Sequence, residues 1–137
     1  MNNHSLLIAD TYLELRRAEQ RGQLVIHDWG VERPVPPHVR ADLFVNVEYP
    51  AQQRRSSYYL EADLGTEPLR IIREKIDKYW QAVELSSDDY FPYVVFVVND
   101  GLRMREFARL FGGLDEERSE MVKVQIYTRL IPYLIRL

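Results

Sequence analysis

Tyr58-Tyr59-Leu60-Glu61-Ala62-Asp63-Leu64-Gly65-Thr66-Glu67 runs from a stretch rich in β-formers, through two acids, into the start of a helix. The aromatic and aliphatic residues predict a strand over Ser56–Leu64. Side chains alternate along a strand, so Glu61 and Asp63 fall on one face. Two like charges side by side on a half-buried sheet repel unless something positive stands between them. Past Gly65, Thr66 can cap a helix, Glu67 favours its N-terminus and Pro68 suits its first turn. Leu69, Ile72, Ile76, Tyr79, Trp80 and Val83 then form a wide apolar stripe.

Upstream, Val39–Glu48 alternates Leu43, Val45 and Val47 against Asp42, Phe44 and Asn46, which predicts a strand. Tyr49–Arg55 reads as the hairpin loop that joins it to Ser56–Leu64. Before it, Glu32–His38 holds Pro34, Pro36 and Pro37, which preclude helix and weaken sheet pairing. Gln23–Val31 is predicted as a further strand. Ser5–Gln20 is predicted as a helix, with Ile8, Tyr12, Leu15 and Ala18 as its stripe and Gly22 as its stop.

Downstream, Phe91–Asn99 is a β-branched run, the mark of a strand covered on both faces. Leu102–Phe111 is a short amphipathic helix closed by Gly112-Gly113. Asp115–Glu120 reads as a charged loop and Val122–Thr128 as the last strand. Arg129–Leu137 is open between a helix broken by Pro132 and an irregular tail. The order α-β-β-β-α-β-α-β implies a layered α/β fold with a mixed sheet flanked by helices.

At 137 residues the chain has the size of one domain, large enough to bury a core without staples. Its 46% hydrophobic and 28% charged residues exclude a disordered chain or a long coiled coil. With no cysteine there is no disulfide, Cys-ligated metal or thiol nucleophile. Eighteen Lys and Arg against 21 Asp and Glu give a net charge of −3, whereas a protein that binds nucleic acid by bulk charge is usually basic. No targeting segment is visible, and Val94–Val98 falls far short of the roughly 20 residues that span a bilayer. A cytoplasmic protein with no membrane partner is the expectation.

If the strands around Asp42 and Glu61 pair as a hairpin, Asp42 lies opposite Glu61 or Asp63. Three converging carboxylates are a hard-oxygen site suited to Mg²⁺ or Mn²⁺. Lys75, about two turns into the helix, could orient an attacking water or stabilise transition-state charge, with Lys78 beside it. The alternative for the same acids is a set of solvated ion pairs. His4, His27 and His38 lack zinc-site spacing and are read as structural or solvated.

The string Tyr58–Glu67, followed by Lys75-Ile-Asp-Lys78-Tyr79, resembles the core motif of the replication-relaxation family of plasmid and mobile-element proteins. That motif is approximately Phe-Leu-Glu-x-Asp-x-Gly-Thr-Glu, then Lys-x-x-x-Tyr. His4 heads a helix, as a histidine does in the family. Trp29-Gly-Val-Glu32 is similar to its Trp-x-x-Glu strand, and Arg40-Ala41-Asp42 stands where it has Pro-Asp. The likeness spans residues 4 to about 111.

The resemblance implies a restriction-endonuclease-like, PD-(D/E)xK-type α-β-β-β-α-β core, with residues 1–137 as a single nuclease-like domain. Asp42 then matches the motif aspartate and Glu61 the acid of the third strand, both as metal ligands for Mg²⁺ or Mn²⁺. Asp63 stands where the usual lysine would be, and Lys75 is the candidate for a lysine that has migrated to the helix. Glu32 and Glu14 are candidate extra acids. Longer members carry a winged-helix region ahead of the core, which is not expected here. DNA contact then falls to a DNA-binding protein partner, a homodimer or local patches. Those patches are drawn from Arg16, Arg17 and Arg21, from Arg54 and Arg55, from Arg70, Arg73, Lys75 and Lys78, and from Arg103, Arg105 and Arg109, with Arg54, Arg55 and Lys78 as the leading candidates. The implied function is a DNA-acting, nuclease-like role in plasmid or phage replication or mobilisation, with Asp42, Glu61, Asp63 and Lys75 catalytic. The alternatives are a catalytically inactive accessory protein that binds DNA or a replication partner, and a Holliday-junction-resolvase-like dimer.

Overall fold

Neighbouring strands that are apolar on both faces must be covered from both sides, and two helical layers do this. The computed structural model describes residues 2–137. In chain order the elements are α1 (Asn3–Gln20), β1 (Val25–Val35), β2 (Val39–Tyr49), β3 (Arg54–Ala62), α2 (Leu69–Leu85), β4 (Tyr93–Val98), α3 (Gly101–Gly112), α4 (Glu116–Met121), β5 (Val122–Ile126) and α5 (Leu130–Arg136). The strands form one mixed sheet in the order β1-β2-β3-β4-β5. β1, β2 and β3 are an antiparallel meander, and β4 and β5 add on parallel to β3. Parallel neighbours need crossovers, supplied by α2 and then by α3 with α4.

Strand alternation separates two cores. Leu43, Val45, Val47, Tyr58, Leu60, Val95 and Val97 face α1 and α5. Val94, Phe96, Val98, Val122 and Val124 face α2 and α3, where Ile72, Ile76, Tyr79 and Phe107 cover them. The β-branched run of β4 is therefore buried on both faces, as expected.

Several boundaries differ from the sequence reading. β1 continues to Val35 through Pro34, leaving only Pro36–His38 as the turn. Pro34 is tolerated because β1 is an edge strand, where a missing N–H can face away from the ladder. β3 starts at Arg54, two residues early, and the hairpin tightens to a turn closed by Gln53 in the left-handed region (φ 52°). Thr66 does not cap α2; extended Pro68 does, and its carbonyl accepts from the Ile71 and Ile72 amides. Asp115–Glu120 is helical rather than a loop: Asp115 caps α4 by accepting from the Arg118 amide, with Glu116 and Glu117 at the positive end of the helix. α1 buries Leu7, Thr11, Leu15 and Ala18, one residue round from the predicted stripe, with Ile8 and Tyr12 half-buried.

The C-terminal segment resolves to helix α5, since Pro132 lies in its first turn, where its missing N–H has no helical partner to lose. Leu130, Ile131 and Leu134 are buried against the sheet. Arg54 fastens the far end: its Nη2 donates to the carbonyls of Leu134 (3.2 Å) and Ile135 (2.6 Å), and its guanidinium lies over the Tyr49 ring. Arg54→Ala should lower stability by about 1–2 kcal/mol, the worth of charged donors on terminal helix carbonyls. Amide exchange should accelerate in α5 more than in α2, and an unchanged pattern would show that Arg54 does not dock this helix.

Candidate functional site

Glu61 lies at the C-terminal end of β3 and Asp63 just past it, and the register places Glu61 beside Phe96 of β4 and therefore on the face covered by α2. Glu61 is only 2% exposed. A carboxyl so deep requires partners, and α2 provides two at i and i+4 spacing, hence on one helix face. Tyr79 Oη donates to Glu61 Oε1 at 2.5 Å, and Lys75 Nζ stands 3.6 Å from Glu61 Oε2. Lys75 itself is about a quarter exposed, its side chain running from solvent to the buried acid.

Asp42 approaches from β2. Ladder pairing between β2 and β3 ends at Leu43–Leu60, and the strands part there. In the gap, Asp42 Oδ2 accepts from the Ala62 backbone N–H at 2.9 Å, in place of a ladder carbonyl. The same oxygen lies 3.1 Å from His4 Nε2, brought by the first turn of α1. The antiparallel count sets Asp42 across from Glu61, the first of the two positions the sequence allowed. Asp42 keeps about a fifth of its side chain open to solvent, so the pair is reached through it.

Burial pushes the Glu61 carboxyl up to about 8, and the Asp42 charge adds to this; Lys75 and the Tyr79 hydrogen bond pull against it. For Lys75, burial opposes the charge, but Glu61, Glu67 and Asp42 together outweigh it and hold the ammonium above its usual range. Burial and the neighbouring Glu61 keep the Tyr79 phenol protonated. The arrangement is a carboxyl poised to hold or release a proton near neutrality, next to a fixed ammonium and a second, more open carboxylate.

Asp63 shares the face of Glu61 but not its company. Arg103 of α3 grips it through two donors, Nε to Oδ2 at 2.8 Å and Nη2 to Oδ1 at 3.0 Å, and also donates to the Glu67 carbonyl. Both side chains are buried. The expected convergence of three carboxylates is thus reduced to two, because the third acid carries its own cation. Glu14 pairs with Arg17 on α1, and Glu32 is exposed on the edge strand. Among the described residues no three His, Asp or Glu side chains gather as a metal-ligand set.

Of the basic candidates, Arg54 is tied to α5 and Arg55 donates to Asn46 Oδ1 at 2.7 Å from an exposed position. Lys78 is exposed on α2, one turn from Lys75. From the sequence, Tyr79 reads as a core residue and as the tyrosine of the Lys-x-x-x-Tyr string, with no link to Glu61, and Arg103 as part of a candidate DNA-contacting patch. The Lys-x-x-x-Tyr spacing could have marked Tyr79, since it sets both side chains on one face of the helix. No local signal links Arg103 to an aspartate 40 residues earlier.

A family model described as replication-relaxation matches residues 1–93 of the 137. No curated protein and no solved structure matches the chain.

A glutamate with an ordinary value of 4.5 when unfolded and about 8 when folded binds the proton more tightly in the fold. Its contribution to stability is complete below about pH 4.5, falls as the pH rises, and is lost past about pH 8. Melts of the wild type should therefore show a midpoint falling across this window relative to Glu61→Gln, which keeps the Tyr79 bond but cannot titrate. Parallel curves for the two proteins would place the Glu61 titration outside that range.

Proposed function

This chain belongs to the replication-relaxation family, and from that premise we propose that it is a nuclease-like DNA-acting domain of plasmid or mobile-element replication. The observed α-β-β-β-α-β order, with an antiparallel meander continued in parallel by β4, supports a restriction-endonuclease-like core. On this reading residues 1–137 form one nuclease-like unit, and DNA, a DNA-binding protein partner or a second copy completes the assembly.

The observation that carries the proposal is the Lys75–Glu61 approach of 3.6 Å beside Asp42. A PD-(D/E)xK-type site needs an ammonium at the acid pair, and the strand position that usually supplies it holds Asp63. Here α2 brings the Lys75 ammonium to Glu61 instead. The donor set fits a divalent cation, because Mg²⁺ is usually held by one or two carboxylates, with waters and substrate phosphate filling the rest. Two adjoining carboxylates whose repulsion adds to the rise in the Glu61 pKa are such a pair. Asp42 and Glu61 would hold Mg²⁺ or Mn²⁺, and the bound ion would neutralise phosphate charge and acidify a water.

The chain's own groups then have separable duties. Asp42 is the more open of the two carboxylates and would offer the metal its accessible oxygen. Lys75 stabilises charge that builds on the phosphoryl oxygens and orients the attacking water. Tyr79 fixes one oxygen of Glu61 and so aims the other. Asp63, held by Arg103, contributes by fixing the β3–α2 loop, and Lys78 adds positive charge beside Lys75, whereas Arg54 and Arg55 lie at the opposite end of β3 from Glu61.

The burial of Glu61 and the engagement of both its oxygens favour a second reading, an accessory protein that has kept the fold and binds DNA or a replication partner without cleaving. Purified protein with Mn²⁺ or Mg²⁺ should nick supercoiled plasmid. Glu61→Ala should abolish nicking, and Lys75→Met should slow it by about 10²-fold or more, the usual cost of removing a charge-stabilising group. Absence of cleavage on supercoiled and branched DNA, together with no heat of Mg²⁺ or Mn²⁺ binding by calorimetry, would favour the accessory reading.

A further inference from the structure

The tip of the β1–β2 hairpin lies against the middle of α2, and a cleft of about 250 Å³ opens between them. His38 and Arg40 form its hairpin wall and Lys75 and Lys78 its helix wall. Arg40 and Lys78 are exposed, and among the described residues neither makes an ion pair or a side-chain hydrogen bond. One acid, Glu74, reaches the cleft, and it pairs with Arg70 at 3.3 Å. The cleft walls therefore hold a guanidinium, two ammonium groups and an imidazole against the one carboxylate of Glu74, a local excess of cationic side chains in a chain of net charge −3.

The inner end of the cleft identifies what it takes. Lys75 belongs to both the cleft wall and the Glu61 ion pair, so an anion seated there is led to the carboxylates. Arg40 stands two residues before Asp42 on β2, tying the cleft to the site from the other side. Isolated phosphate would need only one of these cations. Cations spread along the walls of an open cleft suit a ligand with repeating phosphates. We propose that this cleft binds the phosphodiester backbone of a DNA strand, with Arg40 and Lys78 on phosphates flanking the one that reaches Lys75. The inference rests on the DNA-acting reading above and adds where the strand lies. It displaces the hairpin-loop arginines as principal DNA ligands, since Arg54 is committed to α5 and Arg55 to Asn46.

Binding of labelled single-stranded and duplex oligonucleotides, measured in EDTA across a salt series, tests this without any cleavage. Arg40→Ala/Lys78→Ala should weaken binding by about tenfold or more and reduce the log–log salt slope by about 2, one for each phosphate no longer neutralised. Arg105→Ala/Arg109→Ala on α3 removes the same charge and should stay close to wild type. Thermal melts of both double variants check that the fold is kept. If the wild type binds DNA and the two double variants lose affinity equally, the cleft assignment is overturned while the DNA reading stands. If the wild type binds neither oligonucleotide at any salt concentration, both fall. The ratio of single-strand to duplex affinity identifies which form the cleft accepts.

Discussion

A carboxyl that is 2% exposed is the constraint around which this molecule is arranged. Unpaired and ionised, Glu61 would cost several kcal/mol in the interior, so either it takes a proton or its surroundings supply donors and charge. Both responses are visible. Its proton affinity rises into the neutral range, and α2 turns Tyr79 and Lys75 toward its two oxygens. The course of α2 across the sheet is set partly by apolar burial of Ile72 and Ile76 and partly by the need to bring those two polar groups to the end of β3. A purely structural helix would need only the first. A strand that carries a half-neutralised glutamate in its most buried stretch is destabilising by itself, and such sites are where function is commonly found.

The second acid of β3 shows how the same sheet position can be made inert. Asp63 is nearly as buried as Glu61, but a planar guanidinium matches both its oxygens. The Arg103 side chain also holds the Glu67 carbonyl, and it thereby fixes the loop from β3 to α2 against α3. In open α/β sheets, ligands gather outside the carboxyl ends of parallel strands. β3 and β4 are parallel, and Glu61 at the end of β3 and Asp63 just past it lie at that end. The rigid Asp63–Arg103 pair therefore frames the labile Asp42–Glu61 pair without joining it.

Most of the fold was legible because burial enforces periodicity. The alternation of β2, the β-branched run of β4 and the stripe of α2 each follow from which faces are covered. The elements that escape a sequence reading lack a local pattern. α4 has almost no apolar periodicity and declares itself only through an aspartate cap and acidic first turn. Pro34 obscures the second half of β1, because whether proline is tolerated depends on an edge position that only the assembled sheet defines. At the site, Asp42, Glu61 and Lys75 are readable from spacing and resemblance, and they do meet. The separation of Asp63 is not readable, since period 2 places it correctly on the face and says nothing of an arginine 40 residues away. The role of Arg54 is hidden in the same way: a basic pair in a hairpin loop reads as free charge until α5 folds back onto it.

A net charge of −3, taken alone, opposes any dealings with DNA. Electrostatics in salt water is local, however: charges separated by more than a Debye length of about 8–10 Å are largely screened from one another. The acidic helix α4 packs against α2 from the β5 side, where Arg118 pairs with Asp77 at 3.5 Å and lies over the Trp80 ring, whereas the cleft opens between α2 and the β1–β2 hairpin. A phosphate in the cleft thus has Arg40, Lys75 and Lys78 as its nearest cations and Glu74 as the one acid on the cleft wall. Asp42 and Glu61 do lie within range, and their repulsion is what a divalent cation would cancel. Bulk charge in this molecule therefore describes its solubility, and the sign of the field at the proposed site is set by a few side chains of β2 and α2.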